Sequence, residues 1–170
     1  MTTASIRRAE PDDLPAIAAI YAVYVERTVI TFETAAPDAA AWRRRFDDVM
    51  ARGLPFLVAA EAGDVVGYAY AGPWKDRAAY RCTVEDAIYL APRATGRGLG
   101  RALLDALLES CAEAGVRQVI AVIADTGYAT SSRLHARCGF REVGRLERVG
   151  FKHDRWMDTV LTQRELPGTG

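Results

Sequence analysis

Three glycines fall within five residues at Gly96, Gly98 and Gly100, in the run Ile88-Tyr89-Leu90-Ala91-Pro92-Arg93-Ala94-Thr95-Gly96-Arg97-Gly98-Leu99-Gly100-Arg101. Ahead of them, Thr83 to Leu90 reads as a strand. Behind them, Leu99 to Ala114 reads as an amphipathic helix: Leu99, Leu103, Leu104, Leu107, Leu108 and Cys111 form one stripe, and Arg101, Asp105, Glu109 and Glu113 lie opposite. A strand that passes through a glycine loop into a helix belongs to an α/β fold, and it also prepares an anion site. Glycines let the backbone approach a ligand closely, and the free N–H groups of a helix N-terminus point at it. Arg93, Arg97 and Arg101 add positive charge at the same place. Glycine and arginine alone fit a flexible turn equally well. The dinucleotide fingerprint fits poorly, and a P-loop is excluded because no Gly-Lys-Ser/Thr follows.

The rest of the chain continues the alternation of strands and helices. Ser5 to Ala9 is a short strand, and Asp12 or Asp13 caps a helix in which Leu14, Ile17, Ile20, Tyr21 and Tyr24 recur at helical spacing. Thr28 to Phe32 is a loop or short extended piece. Pro37-Asp38 opens a second helix with Trp42, Phe46, Val49 and Met50 on one side, stopped by Gly53. Phe56 to Ala60 and Val65 to Ala71 are strands joined by the hairpin signal Glu61-Ala62-Gly63-Asp64. Val119 to Ala124 is continuously apolar, which predicts a central strand buried on both faces. Ser131 to Arg137 reads as a short helix, and strands around Phe140 to Val149 and Arg155 to Arg164 complete one domain over residues 1–166. Residues 167–170 read as a flexible tail.

Lysine plus arginine and aspartate plus glutamate both number 22, so the formal net charge is zero. That argues against nucleic acid as a partner, since phosphate backbones select basic surfaces. A small polyanion needs only a local site. No stretch approaches the roughly 18 apolar residues of a membrane span, and the N-terminus lacks a signal-peptide pattern. The three cysteines, Cys82, Cys111 and Cys138, contain no C-x-x-C pair, so neither a metal site nor a disulfide framework is expected. A cytoplasmic protein with reduced thiols is the expectation.

Arg93-x-x-Gly96-x-Gly98, between a strand and a helix, resembles the signature of the GNAT superfamily of N-acetyltransferases. Leu134-His135-Ala136-Arg137-Cys138-Gly139-Phe140 resembles its second signature. Across nearly the whole chain the resemblance is closer still to the phosphinothricin, methionine sulfone and methionine sulfoximine N-acetyltransferases. Thr31-Phe32-Glu33, Ala69 to Tyr80, Thr83-Val84-Glu85, Arg133-Leu134-His135 and Gly150-Phe151-Lys152-His153-x-x-Trp156-x-Asp158 carry it. Tyr128 and Ala22 depart from the group, in which asparagine is usual at the first position and common at the second.

The resemblance implies a GNAT fold, a mixed and strongly twisted β-sheet flanked by helices on both faces. It implies acetyl-CoA as co-substrate and acetyl transfer to the α-amino group of a small amino acid or analogue. The coenzyme is expected on the backbone of Ile88, Tyr89 and Leu90, on Arg93, Gly96, Arg97, Gly98, Leu99, Gly100 and Arg101, and near Tyr128. Alone, Glu85 would read as a solvated carboxylate and His135 as a packed helix residue. The resemblance makes Glu85 the general base and His135 the acid that protonates the leaving thiolate. Asp86 should point to the opposite face from Glu85. Lys75 and Arg77 are expected to hold a substrate oxyanion, with Phe32, Glu33, Trp74 and Tyr80 around them. His153 reads as structural, and Cys138 has nothing nearby to lower its pKa. The resemblance further implies a homodimer. Two rival readings are an acetyltransferase for a polyamine or a protein N-terminus, and a non-catalytic acyl-CoA sensor.

Overall fold

In the sheet order, one pair of neighbours runs parallel, and the sheet opens beside that pair. The computed structural model describes residues 4–168. Among them, seven strands form one mixed sheet: β1 (Ser5–Arg8), β2 (Phe56–Glu61), β3 (Asp64–Pro73), β4 (Thr83–Leu90), β5 (Gln118–Ala124), β6 (Arg141–Lys152) and β7 (Arg155–Glu165). Their order is β1-β2-β3-β4-β5-β7-β6. β4 and β5 are parallel, and the remaining pairs are antiparallel. The helices are α1 (Leu14–Arg27), α2 (Ala39–Ala51), α3 (Leu99–Glu113) and α4 (Thr130–Arg137).

The helices lie where their apolar stripes require. α1 and α2 pack over β2 to β4, and Ile17, Tyr21, Trp42, Phe46 and Val49 are buried there. Trp42 meets Tyr21 and Tyr68 edge-on, with ring centroids 5.5 and 5.7 Å apart. On the opposite face, α3 buries Leu103, Leu104 and Leu107 completely against β2, β3 and β4. A side chain at Gly67 would run into Leu90 and come close to Leu103, so glycine at that position lets β3 and α3 approach.

Several local expectations change. Asp13 makes no capping bond at α1; its carboxylate accepts the Glu10 N–H and a two-pronged bond from Arg7 at 2.7 and 2.8 Å, fixing a short 3-10 turn before the helix. β6 runs on to Lys152, because the turn falls at His153 and Asp154, both with positive φ (49° and 55°), as a tight two-residue hairpin demands. β5 is not buried on both faces: Val119, Ala121 and Ile123 are covered, but Val122 is 37% exposed. Residues of β5 in register with Glu85, starting at Ile120, share the α1/α2 face, and those two helices pack over β2 to β4 instead. Leu166 is buried, and its N–H bonds the Arg117 carbonyl, so the ordered chain reaches the start of the expected tail. Thr169 and Gly170 lie outside the described residues.

Candidate active site

The parallel β4–β5 ladder is short. It pairs Thr83, Val84 and Glu85 with Gln118, Val119 and Ile120, and then stops. β4 stays paired with β3 as far as Leu90↔Gly67, and β5 stays paired with β7 as far as Ala124↔Thr159. Two strands held by their outer neighbours but released from each other leave a gap in the middle of the sheet. That gap is the core of a cleft of about 1190 Å³, lined by residues 85–90 of β4 and 121–124 of β5.

Alternation along β4 decides which backbone groups face the gap. The Thr83 carbonyl and the Ala91 N–H bond toward β3. Peptide groups alternate sides along a strand, so Glu85, Ala87 and Tyr89 also spend theirs on β3. Asp86, Ile88 and Leu90 turn theirs into the gap, where the Leu90 carbonyl accepts the Tyr24 hydroxyl at 2.6 Å. Of the three residues expected to present backbone to a coenzyme, Ile88 and Leu90 turn theirs toward the gap and Tyr89 turns its own toward β3. Tyr89 contributes its ring, packed against Tyr21, Tyr24 and Tyr68.

Side chains alternate between faces in the same way. Glu85 lies on the α1/α2 face, across from Gly72 and diagonal to Tyr70, which pairs with Ala87. It lines the cleft. Burial, together with the neighbouring Asp86 charge, raises its carboxyl above the ordinary range, against a weaker pull from Lys75. Asp86 is on the α3/α4 face, as alternation predicts. There it meets His135, whose Nε2 lies 2.9 Å from Asp86 Oδ2, while Nδ1 donates to the Ser131 carbonyl at 2.8 Å. His135 is 2% exposed. Burial pulls the imidazole pKa down, but Asp86 and the Ser131 carbonyl outweigh it, so the net shift is upward. With an acceptor on each nitrogen, the imidazolium is the species this site fits. Glu85 and His135, expected as base and acid, thus stand on opposite faces of β4, and the ring has no free nitrogen for a leaving group.

The glycine loop has the backbone that its sequence calls for. Gly96 and Gly98 have φ of +75° and +81°, and Gly98 is the residue from which α3 starts. A Cβ on Gly98 would meet nothing within 4 Å, so the left-handed conformation, rather than crowding, requires glycine. In the first turn of α3 the N–H groups of Leu99, Gly100 and Arg101 precede the first helical bond, from Ala102 to Gly98. The three loop arginines are exposed and lean on local acids: Arg93 on Asp64 (3.9 Å), Arg97 on Glu61 (2.7 Å) and Arg101 on Asp105 (3.5 Å). Exposed pairs of this kind are weak and exchange readily for a phosphate. The residues present therefore fit a pyrophosphate at the helix and an extended amide chain along β4.

The family profile described as Acetyltransferase (GNAT) family matches residues 17–140. The chain belongs to the GNAT acetyltransferase family. It is 48% identical over 162 residues to a phosphinothricin N-acetyltransferase of Alcaligenes faecalis, covering 95% of this chain and 82% of that one. It is 39% identical over 168 residues to the L-methionine sulfoximine/L-methionine sulfone acetyltransferase of Pseudomonas aeruginosa, covering 98% and 97%. Among solved structures, a phosphinothricin acetyltransferase from Sinorhizobium meliloti in complex with AcCoA superposes with a TM-score of 0.93 at 44% identity, over 99% of this chain and 91% of that one. The mixed sheet with helices on both faces is the GNAT fold, and the protein is an acetyl-CoA-dependent acyltransferase.

The remaining expected residues of the acetyltransferase separate into two groups. Phe32, Glu33 and Tyr128 line the cleft, Tyr128 at its mouth and 82% exposed. Phe32 is fixed from behind: a Cβ on Gly150 of β6 would lie 2.3 Å from its ring. Lys152 of the same strand donates to the Thr31 carbonyl at 2.8 Å, tying the loop before α2 to the β6–β7 hairpin. Trp74, Lys75, Arg77 and Tyr80 are not among the residues that line the cleft. Lys75 stacks over Trp74, 4.7 Å from the ring centroid, and Arg77 is exposed. Sequence reasoning missed a cation that does line the cleft, Arg45 of α2. Its signal was available: Arg45 falls three residues after Trp42 and four before Val49, on the buried stripe of the helix. His153, expected as structural, forms the hairpin turn and also borders the cleft.

Proposed function

We propose that this acetyltransferase transfers the acetyl group of acetyl-CoA to the α-amino group of a small amino acid or analogue of the phosphinothricin, methionine sulfoximine and methionine sulfone type. The observation that carries this reading is the gap between β4 and β5. Its β4 wall offers backbone groups of Ile88 and Leu90 with no sheet partner, and Glu85, with a raised carboxyl pKa, stands at its inner end. The relatives in Alcaligenes faecalis and Pseudomonas aeruginosa are named for the same reaction on the same class of substrate, which supports it.

The thioester, when bound, supplies the acyl group. The N–H groups of Leu99, Gly100 and Arg101, with Arg93, Arg97 and Arg101 released from their local acids, hold the pyrophosphate. Ile88 and Leu90 align the pantetheine arm as a strand would, and an N–H on that edge polarises the carbonyl. Glu85 takes a proton from the substrate ammonium, directly or through one water. Its raised pKa narrows the gap to the amine. His135 takes a positioning part in this proposal: it compensates Asp86 and anchors α4 against β4, and solvent protonates the thiolate. The test is free-thiol release from acetyl-CoA with a panel of amino acids. Release with phosphinothricin or methionine sulfone well above that with spermidine or a peptide N-terminus supports the reading, and the reverse order refutes it.

We further propose a cytoplasmic homodimer. Val122 and Leu146 are 37% and 46% exposed on the face of β5 to β7 that α1 and α2 do not reach, and Phe151 and Trp156, 55% and 58% exposed, stand on the other face beside the β6–β7 turn. Cys82, Cys111 and Cys138 are unpaired thiols, consistent with a reducing compartment. Sedimentation that finds a monomer at micromolar concentration refutes the dimer.

A further inference from the structure

We infer that Arg45 is the substrate-reading cation of the cleft, taking an oxyanion of the amino-acid substrate on the free side of its guanidinium; this rests on the substrate class proposed above. Among the arginines that line the cleft, Arg27 and Arg155 are exposed, whereas Arg45 is half-buried. It lies on the same face of the sheet as Glu85. Tyr70, diagonal to Glu85 across β3 and β4, feels both groups: burial raises its phenol, the Arg45 charge works against that, and the charges of Glu33 and Glu85 add to it. An amine at Glu85 and an oxyanion at Arg45 would therefore lie on one wall, with Tyr70 between their partners.

The guanidinium is built into place. Its carbon sits 4.7 Å from the centroid of the Trp42 ring and 5.9 Å from that of Tyr21. Nη2 donates to Glu33 Oε1 at 2.9 Å. The guanidinium also meets the Tyr70 phenol, which lies between it and Glu85. A planar cation stacked on one side, tethered at one nitrogen and open toward a cleft matches the fork geometry of a carboxylate, phosphinate or sulfone. Glu33 gives a direct view of the chemistry: a carboxylate already rests against the guanidinium at hydrogen-bond distance. Lys75 and Arg77, expected in this role, are exposed and do not line the cleft.

Two substrate groups share this chemistry, the α-carboxylate and the polar end of the side chain. The experiment separates them. Wild type, Arg45→Gln and Arg45→Lys are assayed for kcat/KM on phosphinothricin, which has an anionic side-chain end, on methionine sulfone, whose side-chain end is neutral, and on methionine sulfone methyl ester, which lacks both anions. Thermal melts establish that each variant is folded. Arg45→Gln should lose roughly tenfold or more, mainly through KM, with partial rescue in Arg45→Lys. A loss confined to phosphinothricin assigns Arg45 to the side-chain oxyanion, and a loss on both acids that spares the ester assigns it to the α-carboxylate. Unchanged kcat/KM on all three, or an equal loss that includes the ester, overturns the inference. If the wild-type enzyme acetylates none of the three, the proposed substrate class fails instead, and the two failures are distinct.

Discussion

Replacing Asp86 tests whether His135 is held as an imidazolium. The two side chains are 1% and 3% exposed and meet at 2.9 Å. Asp86→Ala leaves a buried ring nitrogen without a partner, and removing one member of a buried pair costs about 3–5 kcal/mol. For a chain of this length, about 2–4 °C of Tm accompanies each kcal/mol, so a fall of about 6–20 °C is expected. Asp86→Asn is more informative. The Asn amide can donate to Nε2 of a neutral imidazole while Nδ1 still donates to the Ser131 carbonyl, so the hydrogen bonds survive and the charge pairing does not.

That difference appears in the pH dependence. The folded-state pKa of His135 lies above its unfolded value, which is near 6.5. The folded protein then binds the proton more tightly, and the pair's contribution is fully present below about pH 6.5 and lost as pH rises through the folded pKa. Wild-type Tm should therefore fall from about pH 6.5 upward through that range, and Asp86→Asn should show a flatter profile that approaches wild type at the alkaline end. The assay is thermal unfolding followed by circular dichroism from about pH 6 to 9, the interval that brackets an upward-shifted histidine. Parallel Tm profiles for wild type and Asp86→Asn would show that the ring is neutral in the native state and refute the reasoning.

Glu85→Gln should lower kcat by roughly a hundredfold or more with unchanged acetyl-CoA affinity by calorimetry. Because the Glu85 carboxyl is raised, the acidic limb of the wild-type kcat/KM profile should break above the ordinary glutamate value, with the rate falling as pH falls through it, and the variant should lack that limb. Gly98→Val places a β-branched residue at φ +81°, a conformation that costs such residues about 1–2 kcal/mol; distortion at the start of α3 should weaken acetyl-CoA binding about tenfold or more by calorimetry. Gly150→Ala should destabilise the fold by about 1–3 kcal/mol in urea titration and change KM for the amine, since the new Cβ displaces Phe32 from the cleft wall.

Much of the fold was legible because it rests on local pattern. The stripe Leu99 to Cys111, the hairpin signal at Ala62-Gly63 and the glycines before α3 each prescribe their own backbone, and the structure has it there. What escaped was set by distant chain. The continuous apolar run in β5 does predict a strand, but not that α1 and α2 stop short of it and leave Val122 exposed. Period-two alternation placed Asp86 opposite Glu85, yet could not supply its partner, which lies 49 residues away on α4. Arg43, Arg44 and Arg45 look alike in sequence, and only the neighbouring Trp42 and Val49 distinguish the one that turns inward. The resemblance points to Lys75 and Arg77, and neither lines the cleft, although the Lys75 charge reaches Glu85.

The position of one strand explains why two consecutive acids behave so differently. β4 is the last strand paired on both sides before the sheet opens, and the opening begins just past Glu85. Glu85 faces a wall of phenols, arginine and open cleft. Asp86, one residue on, faces α3 and α4, where a carboxylate without a counter-charge would be costly. His135 supplies that charge, and the Ser131 carbonyl, one helical turn away, fixes the ring that carries it. The consequence reaches back through the strand. Asp86 already raises the Glu85 carboxyl, and an imidazolium against Asp86 limits how far that like charge can act. A histidine on the far face of β4 thus balances the acid whose charge reaches the carboxylate on the near face.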